Sequence, residues 1–255
     1  MRKEMKPISI KPQLVIFLVL LASYISFIDQ DTHFLPALFI AVISAVAADT
    51  GFAYFKQKKL VITSSSLISG LIIGLVLANG QPVWIICLAS VIAIVSKHLI
   101  RLRGRHIFNP AALGIFAVII LLNATTQWRG TYLWYVLAPA GLYFSYKIRK
   151  LEIIFSYFLA SLILFGGQAL MQKINPLNIF GYLSYFYIFV MVIEPKTTPV
   201  NFLGKIVFGT LLAAVIFVFT QAGVRFDAEL CSLLILNATV PVLNKLNLVK
   251  KGGWL

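Results

Sequence analysis

Long apolar runs broken by short polar, mostly basic turns fill this chain from about residue 13 to 246. A bilayer core of about 30 Å needs about 20 mostly apolar residues per helical crossing. Measured against that length, the pattern predicts ten spans, at about 13–29, 34–55, 61–79, 82–98, 107–123, 131–147, 151–171, 177–194, 202–220 and 228–246. The expected fold class is therefore an all-α integral membrane protein of about ten transmembrane helices. Segment 1–12 leads into a first transmembrane half at 13–147, and a second half follows at 148–255.

Charge supplies the orientation. Cytoplasmic loops of membrane proteins collect Lys and Arg, whereas acids carry little topological weight. With the N-terminus inside, 19 of the 22 Lys and Arg fall on the inner side, and only Arg129, Lys173 and Arg225 fall outside. Asp29, Asp31, Asp227 and Glu229 sit on the outer side. The alternation holds at every loop, so the expected location is the cell membrane, multi-pass, with both termini cytoplasmic. Ten spans also divide as a repeat of five plus five, and an odd number per repeat makes the second repeat enter from the opposite side. That is the geometry of an inverted-topology repeat, which builds its site between the halves.

Composition narrows the classes further. The residues are 60% hydrophobic and 12% charged, too apolar for a soluble domain of ordinary composition. The net charge of +14 resides in the topology-setting loops and leaves no basic face for nucleic acid. Cys87 and Cys231 lie in apolar runs, and His33, His98 and His106 are scattered, so neither a disulfide nor a metal site is expected. These five are read as packing or loop residues. No catalytic triad, paired carboxylates or dinucleotide fingerprint is present, so any redox chemistry must come from a cofactor.

Three stretches are costly inside a membrane. Arg105–Gly114 contains Asn109-Pro110, an N-cap followed by a first-turn proline, aiming free N–H groups at the basic side. Glu194-Pro195-Lys196-Thr197-Thr198-Pro199 cannot be helical, and non-helical backbone at this depth survives only where protein or water satisfies it. Glu194 could pair with Lys196 or Lys205. Asn237-Ala238-Thr239-Val240-Pro241 interrupts the last span with a proline whose freed carbonyl Asn or Thr could satisfy. The third span opens on Thr63, Ser64, Ser65 and Ser66 and carries Gly70 and Gly74, spaced for close helix approach. Asp49 would suit either an ion path or a surface pair.

These stretches resemble the NqrB/RnfD family, membrane subunits of the sodium-pumping NADH:quinone oxidoreductase and of the Rnf complex. Residues 105–114 are similar to its "NIFNPA" segment, Glu194–Pro199 to its "DPxTSP" turn with Glu for Asp, and Leu234–Asn244 to its closing "LxMNxxxPLID" helix. The resemblance implies electron transfer through membrane-held flavin (riboflavin or FMN), coupled in the large complexes to sodium or proton movement. It points to Asn109, Pro110, Glu194, Thr197, Thr198, Asn237 and Thr239 as cofactor-binding residues. The implied partners are a cytoplasmic NAD(P)H- or ferredoxin-linked flavoprotein, an outer FMN-carrying or iron–sulfur protein, and other membrane subunits. The family's flavin-attachment stretch, "SGAT", is matched only by Ala124-Thr125, so the flavin is expected to be noncovalent and Thr125 unmodified. A solute transporter or channel, or a non-redox scaffold, would use the same inverted-repeat fold.

Overall fold

The computed structural model describes residues 9–246 apart from Lys59, Asn79 and Arg103. The expected basic positions 2, 3, 6, 59, 103, 250 and 251, and the end of the third run at Asn79, lie outside the described residues. The elements are α1 (Ile10–Asp29), α2 (Phe34–Gln57), α3 (Ser64–Val76), α4 (Val83–Leu99), a hairpin of β1 (Arg101–Leu102) and β2 (Arg105–His106), α5 (Pro110–Leu122), α6 (Trp134–Lys147), α7 (Leu151–Ser161), α8 (Gly167–Met171), α9 (Ile179–Tyr182), α10 (Phe202–Gln221) and α11 (Ala228–Leu243). A π turn over Leu162–Gly166 joins α7 to α8, and a second over Tyr187–Met191 continues the segment begun by α9.

Four helices are long and apolar enough to cross a bilayer: Ile10–Asp29, Phe34–Lys56, Leu151–Met171 and Phe202–Gln221. With the shorter apolar helices beside them, they make this a multi-pass membrane protein. Their outward faces carry exposed Leu20, Phe27, Phe39, Ile43, Phe155 and Val218, which suits lipid rather than water. The small hairpin and an isolated antiparallel bridge between Leu77 and Thr126 depart from the all-α expectation. The hairpin turn runs through Gly104 at φ +82°, a left-handed conformation that glycine adopts without penalty.

The third and fifth spans are shorter than their apolar runs. α3 and α5 have 13 helical residues each, a rise of about 20 Å. α3 is buried along most of its length and packs on α1, α2, α4 and α5. Protein rather than lipid surrounds it, so extended chain can complete the crossing. Beyond α3, the Ala78 N–H donates to the Thr125 carbonyl at 3.0 Å, and the Gln127 and Arg129 N–H groups donate to the Val76 and Leu75 carbonyls. This pairing satisfies backbone that lipid could not.

Gly70 and Gly74 do permit the close approach expected of them. A Cβ on Gly70 would stand 2.6 Å from the Val42 Cα, and one on Gly74 2.6 Å from the Leu38 side chain. The eighth span is the least regular. A 3-10 turn at Pro176–Asn178, α9, extended Leu183 and the π turn replace a continuous helix.

Packing recurs at an interval of five spans. α1 lies on α3, α2 on α4 and α4 on α5, while α6 lies on the Tyr187–Met191 turn, α7 on α10 and α10 on α11. Contacts of α1 with α6 and of α5 with α11 join the two sets.

Candidate functional site

The start of α5 is built from its own sequence. The Asn109 side chain accepts the Ala112 N–H at 3.1 Å, and Pro110 occupies the first turn, where a missing N–H costs nothing. The remaining groups of Asn109 reach far along the chain. Its backbone N–H donates to Asn237 Oδ1 at 2.9 Å, and its Nδ2 donates to the Met191 carbonyl at 3.2 Å. Asn237 in turn donates from Nδ2 to the Thr197 carbonyl at 2.9 Å.

The turn at Glu194–Pro199 is held from several sides. The Thr198 hydroxyl donates to the Glu194 carbonyl at 2.8 Å, and the Lys150 Nζ donates to the Thr198 and Pro199 carbonyls. The Val200 N–H donates to Asn244 Oδ1 at 2.8 Å, while Asn201 caps α10 through the Gly204 N–H. Two prolines deny this segment a helix, and Lys150 at the start of α7, Asn237 in α11 and Asn244 at its end supply the partners it lacks.

Five of the seven residues singled out in the sequence thus meet in one network: Asn109, Glu194, Thr197, Thr198 and Asn237. Pro110 lines the adjoining cavity. Thr239 does not join them; its hydroxyl donates to the Leu236 carbonyl of its own helix at 2.8 Å. Pro241 gets no local repair from the Asn237 side chain, whose amide is spent on Asn109 and Thr197.

Two cavities flank this network. An apolar one of about 220 Å³ is lined by Leu14, Ile72, Phe144 and Val190, with Ser65, Ser69, Asn109, His106 and Glu194 as polar edges. A polar one of about 350 Å³ is lined by Arg105, Lys196, Lys245, Thr198 and Asn244. His106 and Lys196 belong to both. The pairing of Glu194 with Lys196 or Lys205 expected from the sequence is not made. Glu194 Oε1 instead meets His106 Nε2 at 2.8 Å, and Lys205 pairs with Glu152 at 3.2 Å. His106 is therefore a hydrogen-bonding residue of the wall between the cavities rather than a loop or packing residue.

Charge at this end is strongly positive. Among the described residues, Arg105, Lys196 and Lys245 have no carboxylate at salt-bridge distance. Burial, and then the neighbouring cations Lys11, Lys97 and Arg101, lower the Lys196 pKa, with Glu194 opposing. Burial pushes Lys150 down to about 8, helped by Lys205 and Arg105 and opposed by Glu152.

Asp49 takes neither of the roles expected of it. It is buried, accepts the Thr63 hydroxyl at 2.6 Å on Oδ2, and meets Lys97 Nζ at 2.9 Å and His98 Nε2 at 2.8 Å on Oδ1. His98 also stacks on Phe52. This closed set ties α2 to the start of α3 and the end of α4; it is neither a surface pair nor an open path.

At the other end, Arg129 grips Asp29 and Asp31 at 3.0 and 2.5 Å, and Trp128 Nε1 and the Thr126 hydroxyl each donate to Asp227 Oδ2 at 2.9 Å. Thr125 is exposed and accepts from Gln81 Nε2 at 3.0 Å. Sequence reasoning passed over Glu229 and Tyr187 near Asp227. The available signal was a second acid in the first turn of an apolar span.

A family model described as the NQR2, RnfD, RnfE family matches residues 5–132, half of the chain. That stretch includes Asn109 and Pro110 and ends before Glu194 and α11. A component of the proton-translocating ferredoxin:NAD(+) oxidoreductase complex of Clostridium ljungdahlii is 30% identical over 99 residues, covering 38% of this chain and 30% of that protein. Components of ion-translocating oxidoreductase complexes from two further bacteria are also similar. The Erwinia tasmaniensis protein is 27% identical over 137 residues (50% of this chain, 36% of that protein). The Yersinia enterocolitica protein is 32% identical over 122 residues (44% and 34%). The matched stretches span about a third of the length of each relative.

Proposed function

The chain belongs to the NQR2, RnfD, RnfE family, and from that premise we propose that it is a membrane subunit of an ion-translocating oxidoreductase complex that holds a noncovalent flavin at its basic end. The observation that carries this reading is the His106–Glu194 pair, set between an apolar cleft and a chamber of unpaired cations. A flavin has a flat, largely apolar ring with polar edges and a polar tail, anionic in FMN. The two cavities offer matching surroundings in that order. Bound flavin would supply the redox chemistry that no side chain here provides.

The protein's own groups have definite tasks in this reading. Leu14, Ile72, Phe144 and Val190 exclude water from the ring. Glu194, whose carboxylate meets His106 Nε2, would offer an acceptor to a polar edge of the ring. Arg105, Lys196 and Lys245 meet an anionic tail. The Thr197 hydroxyl, buried and without a partner, is a further donor at the network. Asn109, Thr198 and Asn237 hold the turn in shape, because their polar atoms are already engaged with one another and with backbone.

The basic end faces the cytoplasm, as the Lys and Arg bias directs. There it receives electrons from an NAD(P)H- or ferredoxin-linked flavoprotein. The outer end passes them to an FMN-carrying or iron–sulfur protein, alongside other membrane subunits, with Na⁺ or H⁺ movement coupled to the transfer. Unpaired cations around Arg105 suit an acidic donor surface and would speed its encounter.

The test is the visible spectrum of protein purified in mild detergent. A flavin spectrum retained through gel filtration is expected, with the colour released on denaturation and no fluorescent band on a denaturing gel. Glu194→Gln should lower the flavin content without altering membrane insertion. Colourless protein overturns the reading, and its uptake of a solute into vesicles would then favour a transporter in the same fold.

A further inference from the structure

The polar chamber beside the proline-rich turn collects positive charge without an acid to balance it. Arg105 from β2, Lys196 from the turn and Lys245 from the end of α11 all line it. Among the described residues none of the three has a carboxylate at salt-bridge distance. Two other cations of the basic end, Lys97 and Lys205, do have one, Asp49 and Glu152. No Asp or Glu is among the chamber's described lining residues. Glu194, two residues before Lys196, is hydrogen-bonded to His106 at 2.8 Å. Cations brought together from three elements repel one another until an anion enters.

The neutral groups lean the same way. Asn244 Oδ1 accepts the Val200 N–H at 2.8 Å, which leaves its Nδ2 to donate elsewhere. The Thr198 hydroxyl hydrogen and both ends of the Asn237 amide are already spent within the protein. The chamber is left with a guanidinium, two ammoniums and an amide N–H, donors without a matching acceptor. Such a set fits an oxyanion. A carboxylate, with one charge and two oxygens, would satisfy only part of it. A terminal phosphate brings close to two charges and three acceptor oxygens. Arg and Lys are also the side chains that recognise phosphate. The volume of about 350 Å³ exceeds that of one phosphate and leaves room for the chain that bears it.

We propose that Arg105, Lys196, Lys245 and the Asn244 amide form a binding site for a terminal phosphate, so that the protein selects a phosphorylated ligand over its unphosphorylated counterpart. For the ligand's identity this rests on the flavin reading above, and it makes FMN the preferred flavin over riboflavin. His106 and Lys196 line both cavities, so a ring in the apolar one can extend its tail into the chamber. A lipid phosphate offers the same chemistry, since basic pockets between spanning helices on the cytoplasmic side also take anionic headgroups. Phosphatidic acid is the lipid that ends in a free phosphate.

Detergent-purified protein, dialysed free of its own flavin, is titrated with FMN and with riboflavin at fixed ionic strength. Quenching of flavin fluorescence reports binding, and because the rings are identical the difference isolates the phosphate. FMN should bind tighter by about ten-fold or more. Arg105→Gln and Lys245→Gln should each reduce that preference several-fold. Lys147→Gln, an exposed cation outside the chamber, should leave it unchanged. Equal affinity for the two flavins overturns the phosphate site and leaves the flavin reading standing. A preference that survives both chamber substitutions also overturns it. If neither flavin binds, the flavin reading falls and melting decides. A Tm raised by phosphatidic acid but not by phosphatidylcholine, with the rise lost in Lys245→Gln, then keeps the phosphate site as a lipid site. No response to either lipid overturns it as well.

Discussion

The backbone N–H of Asn109 donates to the side-chain oxygen of Asn237 at 2.9 Å, across 128 positions of sequence. Because the same Asn237 amide also holds the Thr197 carbonyl, one buried side chain joins the start of α5, the proline-rich turn and α11. Asn237→Leu would leave a buried N–H and a buried carbonyl without partners, at a cost of about 2–4 kcal/mol. Thermal melting in detergent should show a clear fall in Tm. An unchanged Tm would mean that the bridge contributes nothing.

The Asp49 cluster should behave as a unit. Asp49→Asn leaves the Lys97 ammonium, whose side chain is only 12% exposed, without its carboxylate. Breaking one partner of such a pair typically costs about 3–5 kcal/mol. Thr63→Val removes both the hydrogen bond to Asp49 and the cap that accepts the Ser66 N–H of α3, and should cost about 1–3 kcal/mol. In the double variant the Thr63 effect should shrink to the loss of the cap, since its acceptor Asp49 has already lost its charge; full additivity in melting experiments would contradict that coupling.

Helix spacing sets a third expectation. A Cβ at Gly114 would stand 2.2 Å from the Ala89 carbonyl oxygen, a backbone atom that cannot swing away. Gly114→Ala should force α4 and α5 apart and cost about 1–3 kcal/mol. Gly51, inside α2, has nothing within 4 Å of its added Cβ, so Gly51→Ala should stabilise by up to about 1 kcal/mol. Comparing the two melting temperatures checks both signs at once.

Lys150 gives a pH signature. Burial holds it near 8 in the folded protein, below its ordinary 10.5. Folding thus favours its neutral form, and between about pH 8 and 10.5 the unfolded chain binds more protons. In that window stability should rise with pH, by up to about 1.4 kcal/mol per unit. Below pH 8 the cost is present in full. Lys150→Met should flatten the rise when Tm is followed from pH 7.5 to 10.5, and an identical slope in the variant would remove Lys150 as its source.

Much of this molecule could be read along the chain. Each apolar run reports which solvent its segment needs, and each basic cluster reports a side of the membrane, because both are sums over neighbouring residues. Prolines at 110, 195 and 199 mark where helices must start or stop, since a missing N–H acts locally. Asn109, Glu194, Thr197, Thr198 and Asn237 could be singled out in the same way, as polar groups too costly to leave in lipid. The lengths of α3 and α5 could not, because whether protein or lipid surrounds a helix depends on the other helices.

Pairings lay further from reach. His106 meets Glu194 across 88 positions, and Asp49 meets Lys97 and His98 across 48 and 49. Which face of a helix turns toward which neighbour is settled by packing, and a rotation of one residue redirects a side chain by about 100°. The sequence by itself therefore determined the membrane setting, the order of the apolar segments and the stretches that bear polar chemistry. Only the tertiary structure decided which of those polar groups satisfy one another and which, such as Glu229, line a cavity. The reason is that burial cost is local to a residue, whereas its compensation comes from distant parts of the chain.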